Sequence, residues 1–252
     1  MKTRRFSVQK SSVVYLALLV LAAACRTPPP PALPPAEIVQ RAAARMKAMD
    51  GFHFVIDRSG GPAYLDPAET LSFRRAEGDF VAPDRARAVV RVVTPGLVTE
   101  VSVVSVAAVQ WQTNVLTGQW EELPPNWGFN PAVLFDADVG LQAILAADVT
   151  DLVLAGTETL ADGPDKPLYA LAGRVAGERL YQMSGSLIGP EPSAVQLWLA
   201  PETFELHRVI VTEPSADEPS AADEPSVWQV DFSDFDQVVA IEPPVLSDSA
   251  EE

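Results

Sequence analysis

Cysteine and histidine are nearly missing from this chain of 252 residues, which holds one Cys, Cys25, and two His, His53 and His207. One cysteine excludes an internal disulfide framework and a zinc site built on thiolates. Two histidines leave little material for a metal cluster or a His-based catalytic relay. Bases are scarce too. Eighteen Lys and Arg face 34 Asp and Glu, a formal net charge of −16. Nucleic acid is bound by clustered Lys and Arg that neutralise phosphates, so this balance argues against nucleic-acid partners. It also argues against adhesion to anionic lipid through a polybasic surface. Motifs of catalysis are lacking: there is no G-x-S-x-G elbow, no H-E-x-x-H and no Walker loop. Asp231, Ser233, Asp236 and Glu242 echo a calcium loop. However, Phe235 and Asp236 stand where that loop needs an oxygen ligand and a glycine. No pair among the 34 acids is singled out by spacing for glycosidase work. The expectation is a protein that is not an enzyme and uses no cofactor and no metal.

What is present begins with an address. Lys2, Arg4, Arg5 and Lys10 precede an apolar run from Val13 to Ala24. A membrane-spanning helix needs about 20 apolar residues, and this run is too short. A basic start and a short apolar core read as a secretory signal peptide over residues 1–24. Without its four bases the mature chain carries 14 against 34 acids, a balance of −20. The run ends Leu21-Ala22-Ala23-Ala24-Cys25, which resembles the bacterial lipobox, although the leucine stands one residue further back than usual. The resemblance implies that Cys25 becomes the first mature residue and carries lipid such as palmitate. It would hold the protein on the extracytoplasmic face of the bacterial cell membrane. An ordinary secreted protein with a free Cys25 is the alternative. Six of the eight residues Pro28 to Pro35 are proline. They favour polyproline II at ~3.1 Å per residue, so residues 25–35 read as a lipidated cysteine and a stiff tether.

Residues 36–244 read as one domain. Ala36 to Asp50 has a helical period, with Ile38, Val39, Ala42, Met46 and Met49 on one face. Strand patterns follow over Phe52–Ile56, Leu71–Val81 and Arg85–Val92. In the last of these Arg85, Arg87 and Arg91 share one side. That side is either solvated or a row that meets lipid or glycolipid phosphates. Leu97 to Thr113 reads as one long strand. Leu97, Val101, Val103, Ala107, Val109 and Trp111 fall on one face, and Val98, Val104, Val106 and Ala108 on the other. A sheet with one wet face alternates cleanly, so this strand is expected to be covered on both sides. An aromatic loop over Leu123–Phe129 leads to Asn130-Pro131, the cap and first residue of a helix running toward Asp148, with Gly140 as a break. Strands are expected again at Val149–Leu160, Leu168–Val175, Tyr181–Leu187, Val195–Leu199, Phe204–Thr212 and Val227–Ile241. Residues 213–226 repeat Glu-Pro-Ser three times without a large apolar side chain until the following strand, and read as an acidic mobile loop. Residues 245–252 read as a disordered tail.

Several segments resemble the LppX/LprAFG lipoprotein family, whose fold is related to LolA and LolB. They include Phe52-His53-Phe54 with Ser59-Gly60, Leu116-Thr117-Gly118-Gln119-Trp120, and Asn130-Pro131-Ala132-Val133-Leu134-Phe135 with Gly140-Leu141 and Ile144-Leu145. Later come Gly156 and Glu158, Val195-Gln196-Leu197-Trp198-Leu199 with Pro201-Glu202-Thr203, and Val230-Asp231-Phe232-Ser233-Asp234-Phe235 running to Ile241-Glu242-Pro243-Pro244. The resemblance implies an α+β fold: a strongly curved antiparallel sheet, a half β-barrel, with helices over its concave face. It also implies a hydrophobic cavity for the acyl chains of a lipid or glycolipid, and transport of that lipid within the envelope by a monomer. A ligand-free sensor or interaction module on the same fold is the alternative. Within such a cavity Leu97, Val101, Val103, Val109 and Trp111 would form one wall and Leu141, Ile144 and Leu145 the other.

Overall fold

The structure is a computed structural model that describes residues 33–66, 68–124, 130–214 and 225–246. The signal segment, Cys25, most of the proline tether, the aromatic stretch 125–129, the middle of the acidic loop and the last six residues lie outside the described residues.

A helix, α1 (Pro35–Lys47), opens the domain. Six strands follow: β1 (Gly51–Ser59), β2 (Ser72–Val81), β3 (Arg85–Thr94), β4 (Leu97–Val106), β5 (Val109–Thr113) and β6 (Trp120–Glu122). Two short helices, α2 (Pro131–Leu134) and α3 (Leu141–Ala147), lead into β7 (Val149–Glu158) and β8 (Leu168–Val175). Then come α4 (Gly177–Met183), β9 (Ser193–Leu199), β10 (Leu206–Thr212) and β11 (Val227–Ser233). All eleven strands join one antiparallel sheet in the order β6-β5-β4-β3-β2-β1-β11-β10-β9-β8-β7. The sheet does not close, so β6 and β7 are its edges. This is the half-barrel that the sequence implied.

Strand registry explains why the sheet has one dry face. Leu154 pairs with Leu171, Leu171 with Leu197, Leu197 with Val209 and Val209 with Val230. From there the row runs through Ile56, Ala76 and Val90 to Val101. Directly opposed residues share a face, so a single apolar row crosses nine strands. α1 lays Ile38, Val39, Ala42, Ala43 and Met46 against the domain, all buried. The helix is fastened by Arg45, which donates to Glu205 at 2.9 Å and also pairs with Asp236. α3 packs on α1, and α2 packs on β3 and β4. Asn130 caps α2 as its sequence suggests, accepting from the Ala132 amide at 3.0 Å. A small second core lies on the other face, where Leu160 and Leu168 cover Trp198.

Three strand expectations fail. Leu97–Thr113 is a hairpin, not one strand: Val106 pairs with Val109 across Ala107-Ala108, and Ala107 takes a φ of +53°. Two-residue hairpin turns want glycine or asparagine at positive φ, and two alanines hide the turn. Tyr181–Leu187 is not a strand either; α4 covers its first part and turns the rest. The last strand stops at Ser233, well before Ile241.

Candidate functional site

The inner face of the sheet carries a cluster of phenylalanines. Phe135, just past α2, sets its ring 5.0 Å from Phe52, 4.9 Å from Phe54, 5.5 Å from Phe80 and 5.9 Å from Phe232. Buried Gln142 of α3 donates its side-chain amide to the Phe135 carbonyl, which fixes the ring's backbone to the neighbouring helix. The other polar side-chain atom of Gln142, its carbonyl oxygen, has no partner among the described residues.

Beside this plug lies a cavity of about 70 Å³. Ile56, Val209, Val211, Trp228 and Val230 form its sheet wall. Leu134, Phe135 and Leu141 close one side, and Leu180, Met183, Leu187 and Ile188 cover it. Ser184, the single polar residue in the lining, is turned to its own chain, where its hydroxyl accepts from the Ile188 amide at 3.0 Å. Such a space is dry and suits hydrocarbon. Pockets that bury a small organic ligand measure roughly 300–1,000 Å³, so an acyl chain needs the cover to move.

The cover is the connection between β8 and β9. It is an excursion whose ends meet: a Cβ added to Gly177 would lie 2.1 Å from the Glu191 carbonyl oxygen. Only glycine permits that approach. Compact loops with touching ends are often functional. Leu180, Met183 and Leu187 fall at helical spacing, and this was the signal in the sequence that a helical reading needed.

Two carboxylates hold the cover down: Asp148, at the end of α3, accepts from Arg179 of α4 at 2.8 Å, and Glu213 takes the far end. Glu213 accepts from the Trp228 indole at 2.8 Å and from the Gly189 amide at 2.9 Å. Its own amide donates to the Ser226 carbonyl at 2.9 Å. The two ends of the acidic loop are thus built into the fold, while residues 215–224 between them lie outside the described residues. The Arg58 guanidinium lies over the Trp228 ring, 5.0 Å from its centroid.

The residues expected to line the cavity are scattered. Leu141 lines it, and Ile144 and Leu145 are buried on α3. Val101 and Val103 face inward and are buried, but α2, not α3, packs against their strand. Leu97 begins β4 and is 58% exposed, while Val109 is 36% exposed. Trp111 is buried on the opposite face, paired with Val104. The hairpin reverses the chain, so Val109 and Trp111 exchange faces with the positions that a continuous strand would give them. Cys25 lies outside the described residues.

The outer face is charged and its charges are matched. Arg87 bonds to Asp79 at 2.8 Å and Arg91 to Glu100 at 2.9 Å. Arg85 donates to the Ile241 carbonyl at 2.8 Å. The arginine stripe is therefore engaged within the protein and is not a row of free cations for phosphates. His53 contacts Asp79 through Nδ1 at 2.9 Å on this face. Burial holds Asp79 up, but hydrogen bonds from His53 and Arg87 outweigh it, and its pKa falls below the ordinary value. His207 packs edge-on against Phe235 at 5.1 Å, and burial lowers its pKa despite Glu205 nearby. Asp231 is bound by Arg208, and Asp236 by Arg45. Two clefts of about 540 Å³ each open on the outer face among such paired groups.

Residues 34–241 match the family described as LppX_LprAFG lipoprotein. Among solved structures, LprF from Mycobacterium bovis aligns at 16% identity, over 83% of this chain and 96% of that one, with a TM-score of 0.62. The lipoprotein LppX from Mycobacterium tuberculosis aligns at 14% identity, over 82% and 98%, with a TM-score of 0.56. A looser likeness reaches a LolA superfamily protein from Nitrosomonas europaea, at 11% identity over 81% and 93%, with a TM-score of 0.27. No curated protein matches the chain.

Proposed function

The chain belongs to the LppX/LprAFG lipoprotein family, and from that premise we propose that it binds an acylated lipid or glycolipid by its tails. The bound lipid occupies the space between the sheet and the α4 cover. The observation that supports this reading is the cavity wall. Sheet, α2, α3 and cover meet around a space whose lining has no charged side chain. Apolar burial contributes roughly 25 cal/mol per Å², so a tail placed there is held without any charged contact. Entry requires the 177–191 segment to lift. Its fastenings are a single hydrogen bond from Gly189 to Glu213 and the ion pair of Arg179 with Asp148, contacts small enough to open and reclose.

In this reading Cys25 carries the lipid anchor, residues 1–24 are the removed signal, and the tether holds the domain within roughly 25–30 Å of the extracytoplasmic membrane surface. Several acyl chains would anchor it where one chain holds only marginally. The protein then carries lipid within the envelope and does no covalent chemistry. A ligand-free sensor on the same fold is the second reading, favoured by the size of the cavity, about 70 Å³.

Native mass spectrometry of the protein taken from its own membranes separates the two. An adduct with the mass of a multi-acyl lipid is expected. Protein that carries no adduct, and takes up none from lipid vesicles, gives the sensor reading.

A further inference from the structure

Arg58 is the last inward-facing residue of β1 and is only 7% exposed. Among the described residues no carboxylate lies within ion-pair distance of it, in a chain with 16 excess negative charges. Buried arginine is normally paired. Here one terminal nitrogen donates to the Gly61 carbonyl and the other to the Ser226 hydroxyl at 2.9 Å. The third nitrogen, Nε, is buried and has no partner among the described residues. The nearby Glu213 carboxylate is committed elsewhere, to the Trp228 indole and the Gly189 amide. A second cation adjoins, because Arg74 donates to the carbonyl of Arg58 itself. Arg74 is exposed, so the buried positive pole is Arg58 itself.

The position of that pole gives it a use. Arg58 pairs with Trp228 across β1 and β11 and covers one face of its ring. Trp228 is also a wall of the apolar cavity. Arg58 is not itself in the cavity wall; a hydrocarbon chain there reaches it by way of the Trp228 ring, which both touch, and one fastening that must release for entry is Glu213. When Gly189 lifts, Glu213 loses one of its two donors. The place beside Arg58 is then open to another anion.

We propose that Arg58 is the headgroup site of this cavity and selects an acyl lipid whose head carries a carboxylate or a phosphate. This inference rests on the lipid-binding reading above and adds the charge class of the ligand. The spare Nε donates one hydrogen bond to either anion, and the positive charge beside it matches both. Neutral lipids satisfy the apolar wall but leave the cation unmatched.

The test uses the full chain and two fluorescent probes of equal length, a pyrene-labelled C16 fatty acid and the corresponding C16 alcohol. Wild type should bind the acid at least tenfold more tightly than the alcohol. Arg58→Met keeps an apolar stem against Trp228 and should bind both probes equally. Arg58→Lys should retain most of the preference. Acetate and inorganic phosphate at millimolar concentration should not displace the acid, since a free anion lacks the tail. Displacement by them would make this a simple anion site and overturn the lipid headgroup assignment. Equal binding of acid and alcohol by wild type overturns the inference and leaves the lipid-binding reading standing. Binding of neither probe removes both. Should Arg58→Met not fold, the ratio in wild type and in Arg58→Lys decides alone.

Discussion

Val89 and Val90 are neighbours on β3, yet Val89 is 44% exposed and Val90 is 2% exposed. The two faces of the sheet differ in this way along most of its strands. The inner face is a continuous apolar row capped by helices and held by area removed from water. On the outer face Arg75, Arg87, Arg91 and Arg208 are each matched to carboxylates. Apart from the more buried Arg208–Asp231 pair, these are partly or well solvated, and exposed ion pairs contribute little. The inner face therefore sets stability and the space for a ligand, and the outer face sets solubility and registry.

The strongest way to break this contrast is to move one charge by one residue. Val90→Asp should cost about 4–5 kcal/mol or prevent folding, because an unpaired carboxylate is forced into the apolar row. Val89→Asp should change stability by less than about 0.5 kcal/mol. Urea denaturation of both variants reads the difference, and similar midpoints would contradict the assignment of faces.

Phe135→Ala should cost about 3–5 kcal/mol, since it withdraws a ring that touches four others. The same change enlarges the cavity, so any variant that stays folded should take up more lipid per molecule than wild type. Unchanged uptake would place the ligand elsewhere.

Glu213→Ala removes the acceptor shared by Trp228 and Gly189. The expected loss is about 1–3 kcal/mol, with faster hydrogen exchange at the Gly189 amide while the amides of β1 keep their protection. An unchanged rate at Gly189 would mean that this carboxylate does not hold the cover.

The smallest effects belong to the outer face. Arg91→Ala should cost no more than about 1 kcal/mol, as its partner Glu100 is also exposed. Asp79 gives a pH signature. Its folded pKa lies below the ordinary carboxylate value. Its contribution is therefore complete above the unfolded pKa of about 3.9 and is lost as pH falls through the lower folded value. Arg87→Met removes one cause of the depression and should flatten the fall in stability below about pH 4. A fall as steep as that of wild type would show that the pair does not stabilise the fold.

The helix α1, the order of most strands and the one-sided sheet were determined by local chemistry that the sequence displays. Alternation on β3, the cap at Asn130 and the period from Ile38 to Met46 each act over a few residues, so pattern alone reveals them. The resemblance of dispersed motifs carried the half-barrel. Contacts between distant segments decided the rest. The Ala107-Ala108 turn carries no turn residue and strand pairing forces it, so Val109 and Trp111 lie on the face opposite the one that alternation along a single strand predicts. The α4 cover was hidden because Tyr181 to Leu187 suits either a strand or a helix, and only the meeting of Gly177 with Glu191 selects the latter. Arg58, Glu213, Gly189 and Trp228 are spread over 170 residues of sequence. No local pattern links them; they meet because β1 and β11 pair, and burial beside an apolar cavity then gives an ordinary arginine and glutamate their meaning.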